Sequence, residues 1–258
     1  DDCLTVKKFP EKIIPVSNTL VIIPTYNEAA NIADMIRAVM DLPEQMHLLI
    51  IEDNSPDGTA AVVTEQLSHY PDRLFMVQRS GKLGLGTAYI TGFKWAIERN
   101  YQYIIEMDAD FSHKPEDLPR LLNACVQGAD VSIGSRYVKG GNVEDWPTNR
   151  ILLSKWASRY VRFITWIPVQ DTTAGFVCYT RPVLEKIDLD KIRFIGYAFQ
   201  IEMKYAAWKC GFTLREVPIT FKDRERGISK MSKGIFKEAV LGVLKMRWKS
   251  MFNSYARS

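Results

Sequence analysis

Asp108 and Asp110 stand one residue apart in EMDADFSHKP, at the exit of an apolar run. Two carboxylates that close repel each other, so something must offset the repulsion. One solution is a solvated turn whose aspartates cap a helix beginning near Pro115. The other is a divalent cation. Mg²⁺ or Mn²⁺ takes hard oxygen ligands and shares them with substrate phosphates. Such an ion would also bridge a diphosphate leaving group. The pair by itself leaves both solutions open.

Other polar residues stand in comparable places. Glu28 and Asp53 follow apolar runs, where acids suit the hydroxyls or base N–H groups of a nucleotide. Asp57 reads as a helix cap. Lys82 lies in SGKLGLGT, a glycine-rich loop before a helix that can approach phosphate. The order is not that of an NTPase loop, and the first turn, PTYNEAAN, has no glycine, which excludes a dinucleotide fingerprint. Further on, Arg136, Arg150, Arg224 and Arg226 supply forked cations suited to phosphate, although Arg226 reads as solvated surface. His113, beside the acids, is a candidate base, but a loop histidine is more often structural.

The elements that must position these groups follow from hydrophobic periodicity. TLVIIP, HLLIIEDN, LFMVQRS, YQYIIEMD and ADVSIGSRY read as buried strands, the first stopped by Pro24. Amphipathic helices alternate with them. This predicts an α/β chain with a mostly parallel, doubly wound sheet. Ligands of such sheets bind beyond the carboxyl ends of the strands, where PTYNE, EDNSPDGT, SGKLGLGT, DADFSH and GSRY all fall. After Tyr137 the rhythm breaks. VKGGNVEDWP reads as a loop, TTAGFVCYTR and FTLREVPITFKD as strands, and three further segments as helices. The expected division is an arm over 1–18, a catalytic domain over 19–233 (halves 19–137 and 138–233) and a basic amphipathic helix over 234–258.

A chain of 258 residues, 47% hydrophobic and 25% charged, is ordinary for a globular protein, and a net charge of +4 gives no argument for nucleic acid. The four cysteines, Cys3, Cys125, Cys178 and Cys210, lack metal-ligand spacing and fit a reducing compartment. No run of 18 apolar residues occurs. Any membrane link is therefore expected to be peripheral, on the cytoplasmic face, or through an anchoring partner protein.

Eight segments, VIIPTYNE, IIEDNSPDGT, GKLGLGTAY, EMDADFSHKPEDLP, GSRYVKGG, DTTAGFVCY, GYAFQIEM and EVPITFKDRERGISKM, together resemble the family 2 glycosyltransferases of the GT-A fold. More narrowly they resemble the dolichol- or polyprenyl-phosphate mannose synthases, from about Thr19 to Lys245. The resemblance implies GDP-mannose binding by Pro24, Tyr26, Glu28, Ile51 and Asp53, with Lys82 nearby. It implies that Asp108, Ala109 and Asp110 hold the diphosphate and the metal. Some members have a glutamine at the position of Ser112; here the third ligand falls to serine or to water. Arg136, Arg150 and Ser154 match residues at the acceptor phosphate, and Arg224 and Lys230 residues at the donor phosphates. Asp110, Arg136 and Arg224 are the catalytic set this implies.

The chemistry agrees with the residues. A phosphate acceptor is already ionised near neutral pH, its second pKa being about 6, so it needs no general base. It needs cations that hold two anions together. A polyprenyl phosphate also lies in a bilayer. NRILLSKWASRYVRFITWI and GIFKEAVLGVLKMRWKSMF combine basic and aromatic residues on amphipathic helices suited to an anionic membrane surface; packing on the sheet is the other reading. Two alternatives stay open. One is a UDP-glucose donor. The other is a soluble saccharide acceptor, which would need a base from Glu144, Asp145 or Asp171.

Overall fold

The computed structural model describes residues 18–196, 198–223, 233–252 and 254–257. Arg224, Arg226 and Lys230 lie outside them, as do residues 1–17 of the expected arm.

The alternation expected from the sequence is present over the first half. It runs β1 (Thr19–Thr25), α1 (Ile32–Met40), β2 (His47–Glu52), α2 (Thr59–Leu67), β3 (Leu74–Gln78), α3 (Leu85–Glu98), β4 (Tyr103–Glu106), α4 (Leu118–Val126) and β5 (Val131–Ser135). The second half adds β6 (Asn142–Glu144), α5 (Thr148–Thr165), β7 (Val177–Thr180), α6 (Arg181–Lys186), α7 (Ala198–Lys209), β8 (Leu214–Pro218), β9 (Thr220–Lys222) and α8 (Lys233–Lys249).

The main sheet runs β3-β2-β1-β4-β7-β5-β8. It is parallel except for β7, which lies antiparallel between β4 and β5. Along β1 the side chains alternate between two cores. Leu20 and Ile22 face the one that includes residues of α3 and α7, while Val21 and Ile23 face the one that includes residues of α1 and α4. This is the period-2 alternation of a strand buried on both faces. Val243 and Met246 of α8 join the first core.

Four details differ from the sequence reading. Pro24 does not stop β1: pairing with β2 continues through Pro24↔Ile51 to Thr25↔Glu52. Pro24 lies beyond Ile22, the last residue paired with β4, where no ladder bond to that strand is lost. VKGGNVEDWP contains β6, which pairs with β9 in a second, two-stranded sheet. FTLREVPITFKD is accordingly two strands, because the chain leaves β5 after Pro218 and joins β6 from Thr220. Finally, Arg181–Lys186 forms a short helix with proline in its first turn.

Candidate active site

The exits of β1 and β2 are tied to each other through main chain. Asn27 N donates to Ser55 Oγ (3.1 Å), Glu28 N to Thr59 Oγ1 (3.0 Å) and Ala29 N to Asp57 Oδ2 (3.1 Å). Asp57 stands one residue before the α2 cap position, Gly58, and accepts from Thr59 N at 3.0 Å; burial would raise its carboxyl, but its hydrogen bonds hold it below the usual range. Asn27 and Asn54 take φ of 56° and 53°, a left-handed conformation that asparagine tolerates. Pro24 and Ile51 are register partners, and Lys82 Nζ stands 4.7 Å from the Tyr26 ring centroid. Glu28 accepts from Asn31 at 3.0 Å. Asp53 is buried, and its two oxygens accept from Arg79 Nε (2.6 Å) and Nη2 (2.7 Å). Arg79, which the sequence reading passed over, also donates to Thr87 at 2.8 Å. Gly86, in the first turn of α3, serves packing. A Cβ on Gly86 would lie 2.6 Å from Phe194 O and 2.7 Å from the Phe199 ring.

The exit of β4 is a tight polar turn. Asp110 Oδ1 accepts from Ser112 N (3.1 Å) and Ser112 Oγ (2.6 Å), and Phe111 between them has φ of 61°. An aromatic residue in that region is uncommon and strained. Ser112 therefore orients Asp110. Ala109 is buried in the core, while Asp108 remains 39% exposed at its side chain. His113 Nδ1 accepts from Asp108 N at 3.3 Å, and its ring stacks on Phe176 with centroids 4.9 Å apart. Burial pushes His113 down to about 4, against the pull of Asp110. One nitrogen committed to main chain and a ring stacked on Phe176 fit the structural reading of a loop histidine.

Beyond β5, Arg136 is clamped by Asp171. Nε donates to Oδ2 at 2.7 Å, Nη2 to Oδ1 at 2.6 Å and the Arg136 main-chain N to Oδ2 at 3.0 Å; Nη2 also reaches Thr173 Oγ1 at 2.8 Å. Burial opposes both charges, yet each partner overrides it: Asp171 is held below the usual carboxylate range and Arg136 above its usual value. Aromatic rings of Tyr137, Trp146 and Phe221 surround the guanidinium at 5.1, 5.5 and 5.4 Å. Arg150 lies 3.8 Å from the Trp146 ring centroid and donates to Asp223 at 3.0 Å.

These groups meet in one cavity of about 250 Å³. Asp108, Asp110, Ser112 and His113 line it, as do Arg136, Arg150 and Ser154. Trp156, Tyr160 and Val161 of α5 continue the lining with Val243 of α8. The cavity thus gathers the expected acids with the expected acceptor-side groups. Pro24, Tyr26, Glu28, Ile51, Asp53 and Lys82 do not line it; they occupy neighbouring strand exits along the same edge of the sheet. Trp146, Thr173, Gln200, Phe221 and Asp223 line it without having been singled out. Of these, only Trp146 and Asp223 carried a signal, in polar segments next to flagged arginines. Of the three acids considered as bases, Asp171 is locked by Arg136, and Glu144 and Asp145 are exposed and outside the cavity.

Among the described residues no cluster of three His, Cys, Asp or Glu side chains could hold a metal. Two carboxylates facing one cavity fit Mg²⁺ or Mn²⁺, which bind through one or two protein carboxylates and complete their shell with water and phosphate oxygens.

A parallel sheet with one antiparallel insertion, helices on both faces and paired acids at a strand exit defines a GT-A transferase fold. The chain belongs to glycosyltransferase family 2: residues 20–188 match the family described as Glycosyl transferase family 2. It is 48% identical over 234 residues to the polyprenol monophosphomannose synthase of Mycolicibacterium smegmatis, covering 91% of this chain and 88% of that protein. It is 44% identical over 236 residues to the undecaprenyl-phosphate mannosyltransferase of Micrococcus luteus, covering 90% and 96%. Among solved structures, glucosyl-3-phosphoglycerate synthase from Mycobacterium tuberculosis with Mn²⁺ and UDP superposes with a TM-score of 0.63 at 15% identity, over 90% of this chain and 80% of that one. The mannosyltransferase PcManGT from Pyrobaculum calidifontis, with GDP-Man and Mn²⁺, gives 0.58 at 16% identity, over 97% and 70%. Both are likenesses of fold.

Proposed function

We propose that this chain is a metal-dependent, inverting hexosyltransferase that moves mannose from GDP-mannose to a polyprenyl (dolichyl) phosphate at a membrane surface. One observation carries the reading. A single cavity is lined by the paired acids, by arginines, and by apolar and aromatic residues of α5 and α8. Mannose and a polyprenyl phosphate come from the relatives' names.

Asp108 and Asp110 would hold the ion, with Ser112 orienting Asp110. Bound there, Mg²⁺ or Mn²⁺ would neutralise the charge that develops on the diphosphate. Pro24, Tyr26, Glu28, Ile51, Asp53 and Lys82 receive the nucleotide along the neighbouring strand exits. Arg150, Ser154 and Arg136 receive the acceptor phosphate. Arg224 and Lys230, which the resemblance assigns to the donor phosphates, belong to the same proposal. An oxygen of the acceptor phosphate attacks the anomeric carbon opposite the diphosphate. The new C–O bond forms as the bond to the diphosphate breaks, GDP leaves and the configuration inverts. The acceptor oxygen is already ionised, so no proton is abstracted and the locked Asp171 costs the reaction nothing.

Among the described residues no helix is long and apolar enough to cross a membrane. Phe163 (78% exposed) on α5 and Trp166 just after it stand out from the surface beside Arg159 and Arg162; Arg247 of α8 lies 5.3 Å from the Trp166 ring, and Trp248 (68%) on α8 and Phe252 beyond it are exposed as well. Large exposed apolar patches mark contact surfaces. This one, on a basic background, suits peripheral attachment to the anionic cytoplasmic leaflet, with or without an anchoring partner.

The test is transfer by the purified chain with Mn²⁺, offering GDP-mannose or UDP-glucose as donor and polyprenyl phosphate in vesicles or free oligosaccharides as acceptor. Mannosyl lipid is expected. Transfer only to oligosaccharide, or only from UDP-glucose, would refute it.

A further inference from the structure

One buried side chain on the cavity wall is incompletely bonded in the free protein. Gln200 of α7 is 3% exposed and lines the cavity; its amide approaches the Glu106 carboxyl, but neither Oε1 nor Nε2 completes a well-formed hydrogen bond. Buried amides are almost always bonded, and leaving one unsatisfied costs stability. Behind it stands Glu106, fully buried, pushed up to about 8 by burial and drawn back by Lys204 and the Gln200 amide. Glu106 does not line the cavity, and its oxygens complete no well-formed hydrogen bond either. Lys204 Nζ donates to Ala174 O at 2.6 Å, pinning the cavity-wall segment that includes Gly175. A Cβ on Gly175 would lie 3.8 Å from Gln200 Nε2 and 3.8 Å from His113 Cε1. Glycine therefore keeps open the space between the amide and the acid-bearing turn.

We infer that Gln200 is a specificity-determining residue that seats the transferred hexose. Its amide offers one donor and one acceptor side by side, the pattern that grips two neighbouring hydroxyls. The inference rests on the nucleotide-sugar reading above. The hexose must lie between the diphosphate at Asp108 and Asp110 and the acceptor phosphate at Arg136 and Arg150. Gln200 lines the cavity with both groups. A site built to bond a hydroxyl rejects analogues that lack it, because its own polar group is then stranded.

The experiment measures binding of GDP, GDP-mannose and GDP-mannose analogues each lacking one hydroxyl, with Mn²⁺ and no acceptor, to wild type, Gln200→Leu and Gly175→Ala. In wild type, one or two analogues should bind about tenfold more weakly than GDP-mannose, as expected of a lost buried hydrogen bond. In Gln200→Leu, GDP should bind within about twofold of wild type and GDP-mannose about tenfold more weakly. The same analogues should then lose no more than about twofold, the coupling that a double-mutant cycle isolates. Gly175→Ala, whose methyl makes ordinary contacts in the free protein, should melt as wild type and weaken GDP-mannose but not GDP. Unchanged analogue penalties in Gln200→Leu, or equal losses for GDP and GDP-mannose, would overturn the inference. Wild type that binds neither nucleotide would overturn the functional reading itself before any variant is compared.

Discussion

Arg136 and Asp171 form a forked, fully buried ion pair, Nε to Oδ2 at 2.7 Å and Nη2 to Oδ1 at 2.6 Å, in the wall of the cavity. The pair connects the end of β5 to the segment before β7. It presents the arginine to the cavity and withholds the aspartate from proton chemistry. Removing either partner strands a buried charge, which costs about 3–5 kcal/mol. Asp171→Asn and Arg136→Met are each expected to lose that much in urea unfolding, and the double variant less than the sum. A stable but inactive Asp171→Asn would instead mark Asp171 as a base.

Asp110→Asn should keep the melting temperature and lower the transfer rate at least about a hundredfold at saturating Mn²⁺, the scale of lost transition-state charge stabilisation. Ser112→Ala should cost less, about tenfold, with a raised Mn²⁺ requirement, since it removes a group that orients a ligand. Excess EDTA should abolish transfer and added Mn²⁺ restore it. Full activity in Asp110→Asn would end the metal assignment.

Phe163→Ser combined with Trp248→Ser should weaken co-sedimentation with anionic vesicles at least about tenfold, given the apolar area removed from the interface. Raising the salt should weaken wild-type binding as well, because the basic residues contribute through screened charge. Turnover of a short, water-soluble polyprenyl phosphate should be unchanged. Equal vesicle binding by wild type and variant would show that these side chains do not meet the membrane.

His47 lies at the start of β2, buried against Tyr101, whose hydroxyl is 2.7 Å from Nδ1. Burial pushes it down to about 4, with Arg73 adding to the shift. The unfolded chain therefore binds the proton first as pH falls from about 6.5, and stability is lost through the window down to about 4. Between pH 7 and pH 5 this one group should remove about 2 kcal/mol. His47→Gln should show a correspondingly shallower loss of stability over that range in urea unfolding. A slope equal to wild type would assign the acid sensitivity to other groups.

Much of the sheet was legible because each strand of the first half is a short apolar run ending in a polar turn. Every candidate residue there lies at or near a strand exit. The position of β7 was not legible. Nothing local to TTAGFVCYTR says that it runs antiparallel between β4 and β5, because strand order is set by which edges remain unpaired when the chain returns. Asp171 read as a candidate base for the same reason: its partner Arg136 lies 35 positions away.

Composition and local pattern alone determined the α/β class, the polar strand exits and the acid pair EMDADFSH. These depend on side-chain periodicity and on residue types within a few positions of one another. Only the tertiary structure decided which charges are paired, as in Asp53 with Arg79 and Arg136 with Asp171, and which incompletely bonded polar group, Gln200, lines a cavity. Those outcomes depend on burial and on contacts between segments distant in sequence. Desolvation makes a pair or an orphan of a polar group only once the neighbours that exclude water are in place.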